Sequence, residues 1–132
     1  MDLNKLTVAS REALDAAQSR ASRLGQVEVD GEHLLAALLE PADGLARRLI
    51  AAAGGDPTAV LSDVEADLAR RPRVSGPGAR PGEVYLTQRV ARLLDAAGRE
   101  AARLKDEYVS VEHLLLAIVD EGPTSPAGRV LT

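Results

Sequence analysis

The 132-residue chain has no cysteine, no phenylalanine and no tryptophan, and its only aromatic residues are Tyr85 and Tyr108. Without thiols there is no disulfide framework, no thiol nucleophile and no thiolate metal site, which fits a reducing compartment. Without large rings, leucine, valine and alanine must fill the core, and these favour close-packed helices. No apolar run approaches the roughly 18–20 residues that span a membrane. The start, Met1-Asp2-Leu3-Asn4, lacks the basic residues and apolar stretch of a signal peptide. The chain therefore reads as cytoplasmic. A net charge of −4 argues against a general nucleic-acid binder. An apolar content of 45% excludes disorder as a description of the whole chain.

What is present is a segment that occurs twice. Residues 6–40 align with residues 86–120 without a gap, and 15 of the 35 positions are identical. Leu14-Asp15-Ala16-Ala17 recurs as Leu94-Asp95-Ala96-Ala97, and Glu32-His33-Leu34-Leu35 recurs as Glu112-His113-Leu114-Leu115. Repetition of this length means two copies of one supersecondary unit. Each copy has an apolar face to hide, so the two are expected to pack as a pseudo-twofold pair, with function at the groove between them. The repeats span 1–70 and 86–132, joined by a connector at 71–85.

The pattern within each copy is helical. Thr7 is a suitable N-cap, and Leu14, Ala17, Ala21 and Leu24 follow at spacings of three and four. Gly25 ends that helix. Asp30 caps a second helix, whose unbroken apolar run Leu34–Leu39 predicts a central, buried position. Leu45–Ala53 forms a third. Asp56-Pro57 starts a fourth, with Val60, Leu61, Val64 and Leu68 as its stripe. Residues 71–83 hold three prolines and three glycines, which forbid regular structure. In copy two, Thr87 and Ser110 cap the counterparts of the first two helices, and Ser125-Pro126 starts the third. The fourth counterpart is missing. No alternating β pattern occurs, so the expected class is an all-α bundle.

Little in the chain invites chemistry. His33 and His113 each follow a glutamate, but adjacent helical residues point about 100° apart, which disfavours a shared metal ion. A packing and hydrogen-bonding role is the simpler reading. Glu32 and Glu112 sit in the first helical turn, where a carboxylate meets free backbone donors and is stabilised by about 0.3–1 kcal/mol. They could also accept a cationic ligand. Arg70, Arg71, Arg73 and Arg80 flank the connector without interleaved aromatics for base stacking, so a solvated loop is expected. Gly76 and Gly78 do not form a phosphate loop, because no strand leads into them and Gly-Lys is absent. No nucleophile has a recognisable base. The chain is expected to be non-catalytic, with no cofactor of its own.

The opening Met1 to Thr7, the paired Glu-His-Leu-Leu segments and Asp106-Glu107-Tyr108-Val109-Ser110-Val111-Glu112-His113 resemble the N-terminal domain of ClpB-type disaggregases. The doubled segment is specific to Clp N-domains, and the start and Lys105 to Tyr108 tilt the likeness from ClpC towards ClpB. The resemblance implies a bundle of two pseudo-twofold four-helix repeats, with the eighth helix missing here. It implies a recognition module tethered to a hexameric AAA+ motor, whose ATPase modules would use ATP and magnesium. The implied partners are unfolded or aggregated polypeptides, the AAA+ modules of the parent hexamer and adaptors, with no nucleic acid and no membrane.

In such domains a groove between the repeats takes exposed apolar stretches of client protein. The residues matching Thr7, Asp106 and Glu112 are associated with client handling. Leu14, Leu93, Leu94 and Ala97, on the symmetric first and fifth helices, are the expected groove floor. ClpC-type domains resemble the chain too, and there Glu32 and Glu112 would match acids that bind phosphorylated arginine. That pattern has Gly-Thr before Glu-His, whereas Asp30-Gly31 and Ser110-Val111 stand here. The alternative role is a stand-alone domain that binds adaptors, phosphoarginine or small ligands as a regulator or decoy.

Overall fold

The computed structural model describes residues 3–71 and 84–121. A single 3-10 turn, Leu3–Lys5, leads into α1 (Val8–Arg23), β1 (Glu28–Val29), α2 (Gly31–Leu39), α3 (Leu45–Ala52) and α4 (Pro57–Ala69). Repeat two supplies β2 (Tyr85–Leu86), α5 (Gln88–Arg103) and α6 (Val111–Asp120). The fold is an all-α bundle. The helix expected from Ser125-Pro126 lies outside the described residues.

The helix starts follow from the capping residues. Thr7 Oγ1 accepts the Ser10 N–H and Thr87 Oγ1 accepts the Val90 N–H, so α1 and α5 begin identically. Asp56 accepts the N–H groups of Thr58 and Ala59, and Pro57 opens α4 with its fixed φ. The ends of α1 and α5 also match. Gly25 and Lys105 both lie in the left-handed region, at φ 70° and 61°. Around each, one N–H returns to the carbonyl three residues back and the next returns to the carbonyl five back: Gly25 to Ser22 and Gln26 to Ala21, Lys105 to Ala102 and Asp106 to Ala101.

All nine residues of α2 are buried, as its apolar run predicts. It packs on α1, α4 and α6, while α5 packs on α6. The central pair is therefore α2 and α6, with Leu34, Leu35, Leu114 and Ile118 in the shared core. The outer helices α1 and α5 do not form a packed pair. Each crosses instead to the central helix of the other repeat.

Two short parallel contacts tie the repeats together, and they are symmetric. Glu28–Val29 pairs with Tyr85–Leu86, and Leu6 bridges Val109, eighty positions from Val29 and Leu86 in the opposite sense. Two residues are too few to show an alternating pattern, so these contacts leave no trace in the sequence. They also place Tyr85, assigned to the connector by composition, in a strand.

Candidate functional site

The two histidines hold the starts of the central helices. Each accepts the N–H of its N-cap residue at Nδ1: His33 from Asp30 at 2.9 Å, His113 from Ser110 at 2.8 Å. The imidazole does the work of the glutamate or glutamine in a capping box. With Nδ1 accepting, the proton is on Nε2, and the hydrogen-bond network assigns that tautomer. His33 Nε2–H donates to Gln26 Oε1 at 2.7 Å, and His113 Nε2–H donates to Asp106 Oδ2 at 2.9 Å.

Asp106, Glu112 and His113 bring donor atoms within 4.8 Å of one another. Their hydrogen bonds are those of a helix cap. A metal on Nε2 would require the proton on Nδ1, which already faces the N–H of Ser110. Glu112 Oε1 accepts the Ser110 hydroxyl at 3.2 Å, so all three residues serve the entry to α6.

The counterpart acids in repeat one are closed off. Glu32 is 2% exposed, and one of its oxygens accepts from Arg71. The same guanidinium reaches Asp30 Oδ2 at 3.2 Å, and Arg89 reaches that oxygen at 3.4 Å. Asp30 Oδ1 accepts from Gly31 N–H and from Thr87 Oγ1. Burial pushes the Asp30 carboxyl up. The Gly31 N–H and the charges of Arg71 and Arg89 outweigh it, so the net shift is below the usual carboxylate value. Burial lowers His33 more than the adjacent Asp30 charge raises it.

Two expectations are corrected here. Arg71 is not a solvated loop residue: it turns back from the end of α4 over the start of α2 and neutralises a nearly buried acid pair. Arg70 is tied to Asp67 at the end of α4, while Arg73 and Arg80 lie outside the described residues. Glu32, sealed beneath Arg71, is not open to an external cation, whereas Glu112 is exposed.

The expected groove floor is also corrected. Leu14, Leu93, Leu94 and Ala97 are buried in the common core. An amphipathic stripe states that a face is covered, and here α2 and α6 cover it. Among the described residues, α1 and α5 are not packed against each other, and these four side chains are not at an open surface.

The open surface lies on either side of the first turn of α6. One hollow of about 550 Å³ is lined by Thr7, Ala13 and Ala16 of repeat one, by Leu38, Asp43 and Arg48 beyond them, and by Ser110 and Val111 of repeat two. A second, of about 510 Å³, is more apolar and lies between α3 and α6, with Leu49, Ile50 and Val60 facing Glu112, Leu115, Leu116 and Val119. Leu116 and Val119 are 43% and 41% exposed. Ser110–Val111 and Glu112–Leu116 are consecutive, so α6 forms a wall of both hollows. Thr7 lines the first, with its hydroxyl donating to Ser10 Oγ at 3.0 Å, and Ser10 Oγ donating to the Val109 carbonyl at 2.9 Å. Glu112 lines the second. Asp106 lines neither, and stands behind His113 with half its side chain in solvent.

The second hollow was missed because neither Leu116 nor Val119 departs from a core-like run. Only the repeat offers a signal. Their counterparts Ala36 and Leu39 are buried in a helix against which α4 packs.

Comparison with known proteins places the chain firmly. Residues 5–132 match the model of the Clp repeat N-terminal domain. The chain is 43% identical over 130 residues to the chaperone protein ClpB of Nitratidesulfovibrio vulgaris, covering 98% of this chain and 15% of the relative. It is 45% identical over 121 residues to ClpB of Bacillus cereus, covering 92% of this chain and 14% of the relative. It thus spans about one seventh of these curated relatives. Among solved structures, the N-terminal domain of the ClpV1 ATPase from Escherichia coli superposes with a TM-score of 0.82 at 27% identity, over 98% of this chain and 78% of that one. The Hsp104 N-terminal domain from Candida albicans shares the fold, with a TM-score of 0.76 at 21% identity over 89% and 75%.

Proposed function

The chain belongs to the Clp repeat N-terminal domain family, and we propose that it is the client-recognition module of a ClpB-type protein disaggregase. It binds exposed apolar segments of unfolded or aggregated polypeptide. It is not itself catalytic; ATP and magnesium belong to the AAA+ modules of the parent, which act in the cytoplasm. Adaptors could use the same surface.

The observation that carries this reading is the pair of hollows flanking the first turn of α6, each lined by residues of both repeats. A module that accepts unrelated clients cannot rely on shape-specific hydrogen bonds. It needs modest apolar area with a few polar groups at the rim, and hence weak affinity. Leu116 and Val119 supply the area; Thr7, Ser110 and Glu112 supply the rim. Weak sites suit a hexamer, in which several domains act together by multivalency.

The ClpC-like reading, with two phosphoarginine sites, is disfavoured by Arg71, which occupies Glu32 internally. The test is NMR shift mapping with an unfolded, apolar-rich polypeptide and with its folded form. Shifts should cluster on Thr7, Ser110, Val111 and Leu116 for the unfolded form only. Shifts confined to the surface around Tyr85, or equal for both forms, would overturn the assignment.

A further inference from the structure

One peptide group beside the first hollow is held at both ends by side chains in series. The Val109 carbonyl accepts the Thr7 N–H at 3.0 Å and the Ser10 hydroxyl at 2.9 Å. The other end of the same peptide, the Ser110 N–H, donates to His113 Nδ1 at 2.8 Å. The direction of each bond is fixed. A carbonyl cannot donate, so the Ser10 proton points at Val109, and the 3.0 Å contact between the two hydroxyls is donated by Thr7. Nδ1 accepts, so His113 carries its proton on Nε2 and donates it to Asp106 at 2.9 Å. Thr7, Ser10, the 109–110 peptide, His113 and Asp106 thus form one chain in which every donor points the same way, towards a carboxylate.

Repeat one lacks this chain. Its equivalent peptide, Val29–Asp30, has the same backbone partners, with Thr87 N–H on the carbonyl and His33 Nδ1 on the N–H. Val90 stands at the position of Ser10 and has no hydroxyl to pass the bond on, and the Thr87 hydroxyl turns to Asp30 instead. His33 ends on the uncharged Gln26 amide. Capping a central helix therefore requires neither the serine nor the charge.

We propose that Asp106 is a positioning residue for the first hollow: it acts on Thr7 through His113, the 109–110 peptide and Ser10, without touching the bound polypeptide. The proposal rests on the client-binding reading above. Thr7 lines that hollow, whereas Ser10 is fully buried and Asp106 lies outside it. Hydrogen bonds in series polarise one another, by about 10–30% per bond, and an anion at the receiving end strengthens them all. A hydroxyl that donates strongly is also a better acceptor. One lone pair of Thr7 Oγ1 takes the Ser10 N–H, and the second is left for an N–H of the polypeptide. Asp106 is half exposed, so solvent screens its charge and the effect on binding is modest.

The test uses the intact chain and a reduced, alkylated, leucine-rich polypeptide, with affinity read by anisotropy. Asp106→Asn keeps an acceptor for His113 and removes only the charge. Ser10→Ala cuts the chain at a buried place that does not border the hollow. Each should weaken binding about threefold, and the double variant also about threefold, because both interrupt one chain; independent effects would multiply to about ninefold. Melting curves confirm that each variant folds. In the free domain Asp106→Asn should shift the Thr7 NMR resonances, and should no longer do so in the Ser10→Ala background, a pattern that a purely capping role would not produce. Effects that multiply, or unchanged affinity in both variants with polypeptide-induced shifts still at Thr7 and Ser110, would overturn the relay and leave the client-binding reading standing. A polypeptide that moves neither Thr7 nor Ser110 would overturn both.

Discussion

His113 Nε2–H donates to Asp106 Oδ2 at 2.9 Å, in the place where His33 donates to the neutral amide of Gln26. The same capping imidazole is thus held by a charged, half-exposed acceptor in one repeat and by a buried amide in the other. Asp106→Asn preserves an acceptor and should cost less than about 0.5 kcal/mol. Asp106→Ala leaves a nearly buried N–H and should cost about 1 kcal/mol, limited because water can reach that side. Gln26→Ala should cost more, about 2–3 kcal/mol, since the Gln26 amide also donates to the Leu68 carbonyl at 2.7 Å within the core. Urea melts in which Gln26→Ala is the more stable of the two would contradict this account of the caps.

Gly25 and Lys105 share one backbone conformation, but only glycine adopts it without crowding its own Cβ. Lys105→Gly should therefore stabilise the domain by up to about 1 kcal/mol, because relief of the left-handed strain exceeds the entropy that glycine adds to the unfolded chain. Gly25→Ala should do the opposite by a similar amount. Thermal melts of the two variants against wild type check the sign directly.

Much of this framework was legible in the residues. Thr7, Asp30, Asp56-Pro57 and Thr87 announce helix starts because their side chains can satisfy free N–H groups within three residues. The run Leu34–Leu39 announces a central helix because no face of it tolerates water. What could not be read is non-local. Leu14, Leu93, Leu94 and Ala97 form a stripe, and a stripe is the same whether a partner helix or a client covers it. Arg71 lies 41 positions from Asp30 and 39 from Glu32, with nothing local to mark the pairing. Each hollow is lined by residues of both repeats, and so is a property of two surfaces and of no single segment.

The Arg71–Glu32–Asp30 cluster should couple energetically. Arg71→Met strands the buried Glu32, while Asp30 keeps Arg89, the Gly31 N–H and the Thr87 hydroxyl; it should cost about 2–3 kcal/mol, reduced from the full value of a buried pair because Arg71 retains solvent contact. Glu32→Gln alone should cost less. The double variant should be more stable than the sum of the two costs predicts, since the stranded charge is gone. Strict additivity in a double-mutant cycle would show that the contact carries no net energy.

Stability should fall in two steps on acidification. Burial holds the folded-state pKa of His33 below the value of about 6.5 in an unfolded chain. The unfolded chain thus binds the proton first, and stability is complete above that value and lost as pH falls below it. Asp30 is depressed below about 3.9, so its contribution is present above that pH and lost as pH falls through its lower folded value. Urea midpoints should be level near pH 7–8, then decline below about 6.5 and again in the acid range. The first decline should begin near the unfolded value and level off where NMR shows His33 of the folded domain taking up its proton. A midpoint that rises between pH 7 and 5.5 would reverse the sign assigned to His33.

Binding and folding should separate cleanly between two sets of apolar residues. Leu34 and Leu35 are fully buried and Leu115 nearly so, and replacement of either of the first two by alanine should cost about 2–5 kcal/mol. Leu94→Asp, at a core position, should unfold the domain, so loss of binding there would say nothing about a groove. Leu116 and Val119 are the informative positions, because each is exposed and borders the more apolar hollow. Leu116→Glu and Val119→Glu remove apolar contact area without burying a charge. They should leave the melting temperature within a few degrees of wild type and reduce affinity for an unfolded polypeptide several-fold, by about 1 kcal/mol each. Thr7→Ala tests the other side of α6: it removes the N-cap of α1, at about 1 kcal/mol in stability, together with one polar group of the first hollow. If both glutamate variants bind unfolded polypeptide as wild type does while Thr7→Ala does not, the first hollow alone carries recognition, and the α3–α6 surface has another role.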